Sequence, residues 1–168
     1  MKDARFTPRI SETARGLWSV YFGFSAACFL AYRWAGMGWA DAFMHMCTTM
    51  GLGGFSSHDA SLGYFNSPTI EAVATVFMAM AGINFVRYFI VIRSRSLRPI
   101  VHDREIRTYV AVLLASIGLI ASLLLVHGVH DDAAEALRTS AFHVLSLATT
   151  TGYASTDYAQ WPVFAPVL

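Results

Sequence analysis

"MCTTMGLGGFSSHD" occupies residues 46–59, and "SLATTTGYASTD" occupies residues 146–157. Both strings are rich in Thr, Ser and Gly, and both end Gly-aromatic-x-Ser-x-Asp. Flexible linkers use Gly and Ser too, but they do not place an aromatic and an Asp in one register twice. At an offset of 98 the strings align without gaps, pairing His45 with His143, Gly54 with Gly152, Phe55 with Tyr153, Ser57 with Ser155 and Asp59 with Asp157. Thr48 meets Ser146 and Leu52 meets Thr150 in the same alignment. So many matches in so short a window read as an internal repeat.

The surroundings of the strings are apolar. Of 168 residues, 55% are hydrophobic and 14% charged, where a soluble domain carries about 25% charged residues. Three stretches, 17–35, 72–92 and 109–126, are apolar on all faces, and crossing a bilayer takes about 20 such residues. A net charge of +1 gives no basic footprint for nucleic acid. Cys28 and Cys47 lie in apolar surroundings without ligand spacing and read as small hydrophobes. The polar first fifteen residues carry no small-residue cleavage site, so no secretory leader is expected.

Charge sorts by segment. Lys2, Arg5, Arg9 and Arg15 precede the first span, and Arg93, Arg95, Arg98, Arg104 and Arg107 separate the second from the third. Excess Lys and Arg marks the cytoplasmic side, so both strings fall on the extracytoplasmic side. Between spans one and two, "GWADAFMHMCTTM" (38–50) is helix-compatible but too short to cross. The Gly-rich string follows, and Ser67-Pro68 then opens the next span as N-cap and first helical residue. Span, half-helix, Gly-rich return and span describe a re-entrant loop, which membrane depth tolerates only where it is buried or lines a watery path. The pattern restarts after span three, with Asp131 or Asp132 as N-cap of a second half-helix.

The expected fold is therefore all-α and integral to the membrane, built of repeated span–half-helix–return–span units. Residues 1–15 form a cytoplasmic N-terminal segment and 16–92 a complete unit. Residues 93–107 form a cytoplasmic basic loop, and 108–168 a second unit that stops after its loop. The chain is expected to be a piece of a longer protein.

A Gly-rich return at the end of a half-helix can aim backbone carbonyls inward to replace a cation's water shell. The negative end of each half-helix dipole points the same way. No charged side chain lies within 46–57 or 146–156. A site of neutral dipoles suits a large monovalent ion, because divalent sites prefer carboxylates.

"CTTMGLGGFSSHDASLGYF" and "LSLATTTGYASTDYAQWP" resemble the second and third pore loops of the Trk/Ktr/HKT-type potassium uptake family, the membrane subunit of bacterial Trk systems. The resemblance covers nearly the whole chain. It implies four span–loop–span units around one pore, of which the first and fourth are absent here. Also absent is most of the third unit's second span, where the family places an intramembrane gating segment. By that match Gly54 and Gly152 are the filter glycines. Leu52, Gly53 and Phe55 flank one, and Thr150, Thr151 and Tyr153 the other, as residues that contact a potassium ion. The resemblance further implies a homodimer in the bacterial inner membrane and a cytoplasmic nucleotide-binding regulatory partner. Glycine at both filter positions leans toward potassium. A sodium-permeable or sodium-coupled transporter, or a non-conducting fragment, is the alternative.

Other residues have plainer readings. His45 and His143 read as buried histidines bonded to a neighbouring loop. Asn84 reads as a helix-packing residue, and Arg87 as a cation near the inner end of span two that can reach the interface. Asp59 and Asp157 either gather cations at a pore mouth or cap the turn locally. The 93–107 loop either fixes topology beside anionic lipid or, as the family implies, meets the regulatory partner. An enzyme is not expected. His127, His130, Asp131 and Asp132 are the one cluster that could hold a metal, and they lie at an exposed span end without a partner.

Overall fold

The computed structural model describes residues 6–130, 132–156 and 161. Its helices are α1 (Phe6–Trp34), α2 (Trp39–Met50), α3 (Pro68–Ala81), α4 (Phe85–Ser94), α5 (Arg98–Val101), α6 (Arg104–Val126) and α7 (Ala133–Ala148), with a 3-10 turn at Ser61–Phe65. The two half-helices α2 and α7 lie where the repeat puts them. Their 12 and 16 residues rise about 18 and 24 Å, less than the roughly 30 Å hydrocarbon core. Asp132 caps α7 by accepting from the Ala134 amide. Asp131 lies outside the described residues. Ser67 is the N-cap of α3 and Pro68 its first residue, although the Ser67 side chain makes no capping bond.

Among the described residues α6 is the one single helix both long and apolar enough to cross a membrane. α1 has the length, 29 residues, but Ser19, Tyr21, Gly23, Ser25, Tyr32 and Arg33 dilute its apolar run. It begins at Phe6, so the polar N-terminal stretch continues into the span as one helix.

The second apolar stretch is not one helix. It breaks at Gly82–Asn84, and α3 and α4 meet at 84°. The cause is local and tertiary together. Gly82 ends α3 under Tyr109, whose hydroxyl would lie 2.5 Å from any Cβ placed there. The Asn84 side chain accepts from the Val86 amide and starts α4, so Asn84 is a cap and not a packing residue. Phenols meet the carbonyls at the break: Tyr109 donates to Ala79 O at 3.4 Å, and Tyr88 donates at 2.9 Å to Met80 O, which also accepts from Ile83 N at 3.2 Å. Beyond the bend, Arg87 pairs with Asp103 at 2.5 Å, and Asp103 also caps α6 through Glu105 and Ile106 amides.

The main core gathers Cys28 and Tyr32 of α1, Ala42 and Met50 of α2, Ala74 and Met78 of α3, and Phe142 and Leu145 of α7. α3 thus packs against the half-helix of its own unit and that of the next. The Arg138 guanidinium of α7 meets the Glu71 carboxylate of α3 at 3.1 Å, on the border between the two units.

Candidate functional site

Each half-helix ends in a loop that begins with the same hydrogen bonds. Leu52 N donates to Thr49 O at 3.2 Å, and Thr150 N to Leu147 O at 3.0 Å. Gly54 N reaches back to Thr48 O at 3.4 Å, and Gly152 N to Ser146 O at 3.1 Å. Both pairs are related by the offset of 98 that relates the sequences. The histidines repeat too: His45 Nδ1 donates to Asp41 O at 2.8 Å and His143 Nδ1 to Thr139 O at 3.0 Å.

Backbone handedness repeats with the bonds. Leu52, Gly54, Thr150 and Gly152 have positive φ, at 51°, 61°, 60° and 81°, while Gly53, Phe55, Thr151 and Tyr153 do not. A chain that alternates left- and right-handed residues turns successive peptide units the same way, so the carbonyls line up on one side. Glycine adopts the left-handed angles freely, and at Leu52 and Thr150 they cost about 1–2 kcal/mol each. Both loops keep this strain. With the amides turned back to the half-helix, the carbonyls of Leu52, Gly53, Gly54, Phe55, Thr150, Thr151 and Gly152 accept no hydrogen bond from a described residue. The Tyr153 carbonyl differs, accepting from Ser146 Oγ at 2.7 Å.

The loops lie side by side. A Cβ on Gly54 would fall 1.8 Å from the Thr151 carbonyl oxygen, so the absence of a side chain lets the two backbones touch. Leaving the site they stay together: Gly63 N donates to Ala154 O at 3.1 Å, and Ala154 N to Ser61 Oγ at 3.3 Å.

The first loop is also strapped to α2. Since His45 Nδ1 carries the proton given to Asp41 O, its Nε2 in the neutral ring accepts from Ser56 Oγ at 3.0 Å. Asp41 at the start of α2 accepts from Ser57 Oγ at 2.7 Å and faces His58 Nε2 at 3.3 Å. His58 stacks on Tyr64 at 3.6 Å. Composition alone gave no reason to single out Asp41. Its only sequence signal is its position in the first turn of a half-helix, sixteen residues before Ser57.

The two aromatics of the repeat part company. Phe55 is 75% exposed, whereas Tyr153 is 2% exposed with its phenol against α2. Asp59 is exposed, beside the groove of about 360 Å³ that runs between Ser61, Gly63, Ala154 and Ser155. No described residue pairs with its carboxylate. Asp157 lies outside the described residues.

Two half-helices that return through loops with unspent carbonyls, set among apolar helices, define an all-helical membrane protein of the re-entrant-loop type. The chain belongs to the TrkH family of cation transport proteins, whose model matches residues 1–168. It is 40% identical over 168 residues to the Trk system potassium uptake protein TrkH of Salmonella typhimurium, covering all of this chain and 35% of that protein. To the Trk system potassium uptake protein TrkG of Escherichia coli it is 38% identical over 162 residues, 96% of this chain and 33% of that one. The crystal structure of the potassium transporter TrkH from Vibrio parahaemolyticus superposes with a TM-score of 0.91 at 36% identity, over 98% of this chain and 36% of that chain. The chain thus spans about a third of the length of the relatives it matches.

Proposed function

We propose that this chain contributes two adjacent filter loops to a transporter that takes up potassium across the bacterial inner membrane. The observation that carries the reading is the pair of touching loops whose seven carbonyls accept no hydrogen bond from a described residue. Neutral carbonyl dipoles, reinforced by the C-terminal ends of α2 and α7, suit a monovalent cation that sheds water readily. Leu52, Gly53, Gly54 and Phe55 supply one side of the path, and Thr150, Thr151 and Gly152, with Tyr153 behind them, supply another. Asp59 and Asp157 raise the local cation concentration at the outer mouth.

Charge supports the orientation. The basic N-terminal segment and the 93–107 loop face the cytoplasm, and the loops face outward. In the complete protein, further units close the path, two copies pair, and a nucleotide-binding partner meets the cytoplasmic side. The names of the similar proteins support potassium as the cargo.

The test uses the complete transporter containing this segment, reconstituted in liposomes. Gly152 has φ +81°, so Gly152→Ser strains the loop by about 1–2 kcal/mol and should lower discrimination of potassium over sodium roughly tenfold. Equal potassium and sodium flux in the parental protein would instead establish the sodium-permeable alternative. Unchanged discrimination in Gly152→Ser would remove this loop from the filter.

A further inference from the structure

Tyr153 follows a filter glycine, yet its phenol leaves the loop and enters the half-helix of the preceding unit. Its hydroxyl lies 2.5 Å from Thr48 Oγ1 and 3.1 Å from Thr49 Oγ1, and donates to His45 O at 3.2 Å. Thr49 Oγ1 lies 2.7 Å from the Tyr32 hydroxyl of α1. A phenol has one proton to give and two lone pairs. These four contacts are satisfied together when Tyr32 donates to Thr49, Thr49 and Thr48 donate to Tyr153, and Tyr153 donates to the His45 carbonyl; Thr48 then gives its proton to the phenol instead of to Met44 O, 3.1 Å away in its own helix. Tyr32 and Thr49 are both fully buried, so no water competes, and bonds in such a chain polarise one another.

We propose that Tyr153 is a positioning residue for ion selectivity: its phenol fixes the spacing between the two filter loops by tying the second loop to α2. This rests on the functional reading above.

Three features support it. The tie starts one residue beyond Gly152, so it fixes the loop where the carbonyls lie. One turn of α2 holds both loops, because the His45 ring bonds Ser56 of the first loop while the His45 carbonyl bonds Tyr153 of the second. The Tyr153 carbonyl, engaged by Ser146 Oγ, closes the bracket on the other side, so the residue is clamped between α2 and α7. Phe55, its counterpart in the repeat, has no hydroxyl and cannot make this tie. The brace is therefore a property of one loop and not of the repeat. A loop held at fixed spacing resists contraction around a smaller ion, which is how a filter of fixed cavity size discriminates.

The experiment uses the complete transporter in liposomes, with potassium and sodium uptake measured separately and in competition. Tyr153→Phe keeps the ring and its packing but removes the hydroxyl. Potassium-over-sodium discrimination should fall about tenfold. A merely structural loss would lower the maximal rates for both ions alike and leave their ratio unmoved, and that result overturns the proposal. Joint replacement Thr48→Val and Thr49→Val should produce the same fall, and adding Tyr153→Phe should bring little further change. Full additivity would also overturn it. If Tyr153→Phe does not assemble, Thr49→Val carries the test alone, since the phenol keeps two of its bonds. A fall of about threefold supports the tie, and an unchanged ratio refutes it. A folded parental protein that moves neither ion overturns the functional reading itself, a result separable from an insensitive Tyr153→Phe in an active transporter.

Discussion

Replacing Gly54 with alanine tests the contact on which the paired loops depend. The added Cβ would sit 1.8 Å from the Thr151 carbonyl oxygen, against an ordinary contact of at least 3.4 Å, and 2.8 Å from the Thr151 carbonyl carbon. Both are backbone atoms, so no side chain can rotate away. The loops must separate by about 1.6 Å or the Thr151 carbonyl must turn. Overpacking of this kind costs about 1–3 kcal/mol. The residue also has φ +61°, which adds about 1–2 kcal/mol for any L side chain. A total near 3 kcal/mol corresponds to roughly a hundredfold in an equilibrium.

The cost falls on the site more than on the fold, because the displaced atom is one of the free carbonyls. The assay is the half-saturation constant for potassium in liposomes containing the complete transporter, with thermal unfolding in detergent alongside. Potassium affinity should fall by one to two orders of magnitude, about 1.4–2.8 kcal/mol. Gly128→Ala is the control. Gly128 also has positive φ, +66°, but nothing lies within 4 Å of a Cβ there, and it sits in the α6–α7 turn. It should lower stability by about 1–2 kcal/mol without touching potassium affinity. Parental potassium affinity in Gly54→Ala would refute the claim that the two loops meet at this glycine.

Two further perturbations probe the scaffold. Asn84→Ala removes the side chain that starts α4 beyond the bend and should cost about 1 kcal/mol, read as a lowered Tm of the complete protein. An unchanged Tm would mean that the Tyr88 and Tyr109 hydroxyls hold the break unaided. Arg138→Met leaves the Glu71 side chain, 12% exposed, without its partner and should destabilise by about 1–3 kcal/mol, discounted for the solvent that reaches the guanidinium. Adding Glu71→Leu should recover most of that loss, and a double variant less stable than Arg138→Met would contradict this account.

What could be read from the residues alone follows from how local each feature is. The half-helices and their returns were legible because Gly54 and Gly152, with their aromatic and Ser neighbours, repeat in one register. That register also carries the amide bonds to Thr48 and Ser146. The buried bonding of His45 was legible too, since the loop it serves lies only eleven residues on. The bend at Gly82 was not. "AVATVFMAMAGINFVRYFIVI" is apolar apart from Thr75, Asn84 and Arg87, and its glycine marks a break only together with the Asn84 cap and the Tyr88 and Tyr109 hydroxyls that meet the carbonyls at the bend. Left-handed Leu52 and Thr150 were equally hidden, since neither residue type announces positive φ. The Tyr153 tie joins positions about a hundred residues apart, and no local pattern encodes it. It separates Tyr153 from Phe55, which the alignment treats as equivalents.

The bend between α3 and α4 also sets a length. α3 has 14 residues and rises about 21 Å, some 9 Å short of the hydrocarbon thickness of an average bilayer. With α4 turned through 84°, whichever helix stands upright leaves the other nearly in the membrane plane. Where lipid rather than a neighbouring helix lies beside so short an upright helix, thinning to meet it costs a fraction of a kcal/mol per ångström of mismatch. A bent pair of this length fits a thin bilayer better than a thick one wherever its flank meets lipid and not the packed faces of α1, α2 and α7.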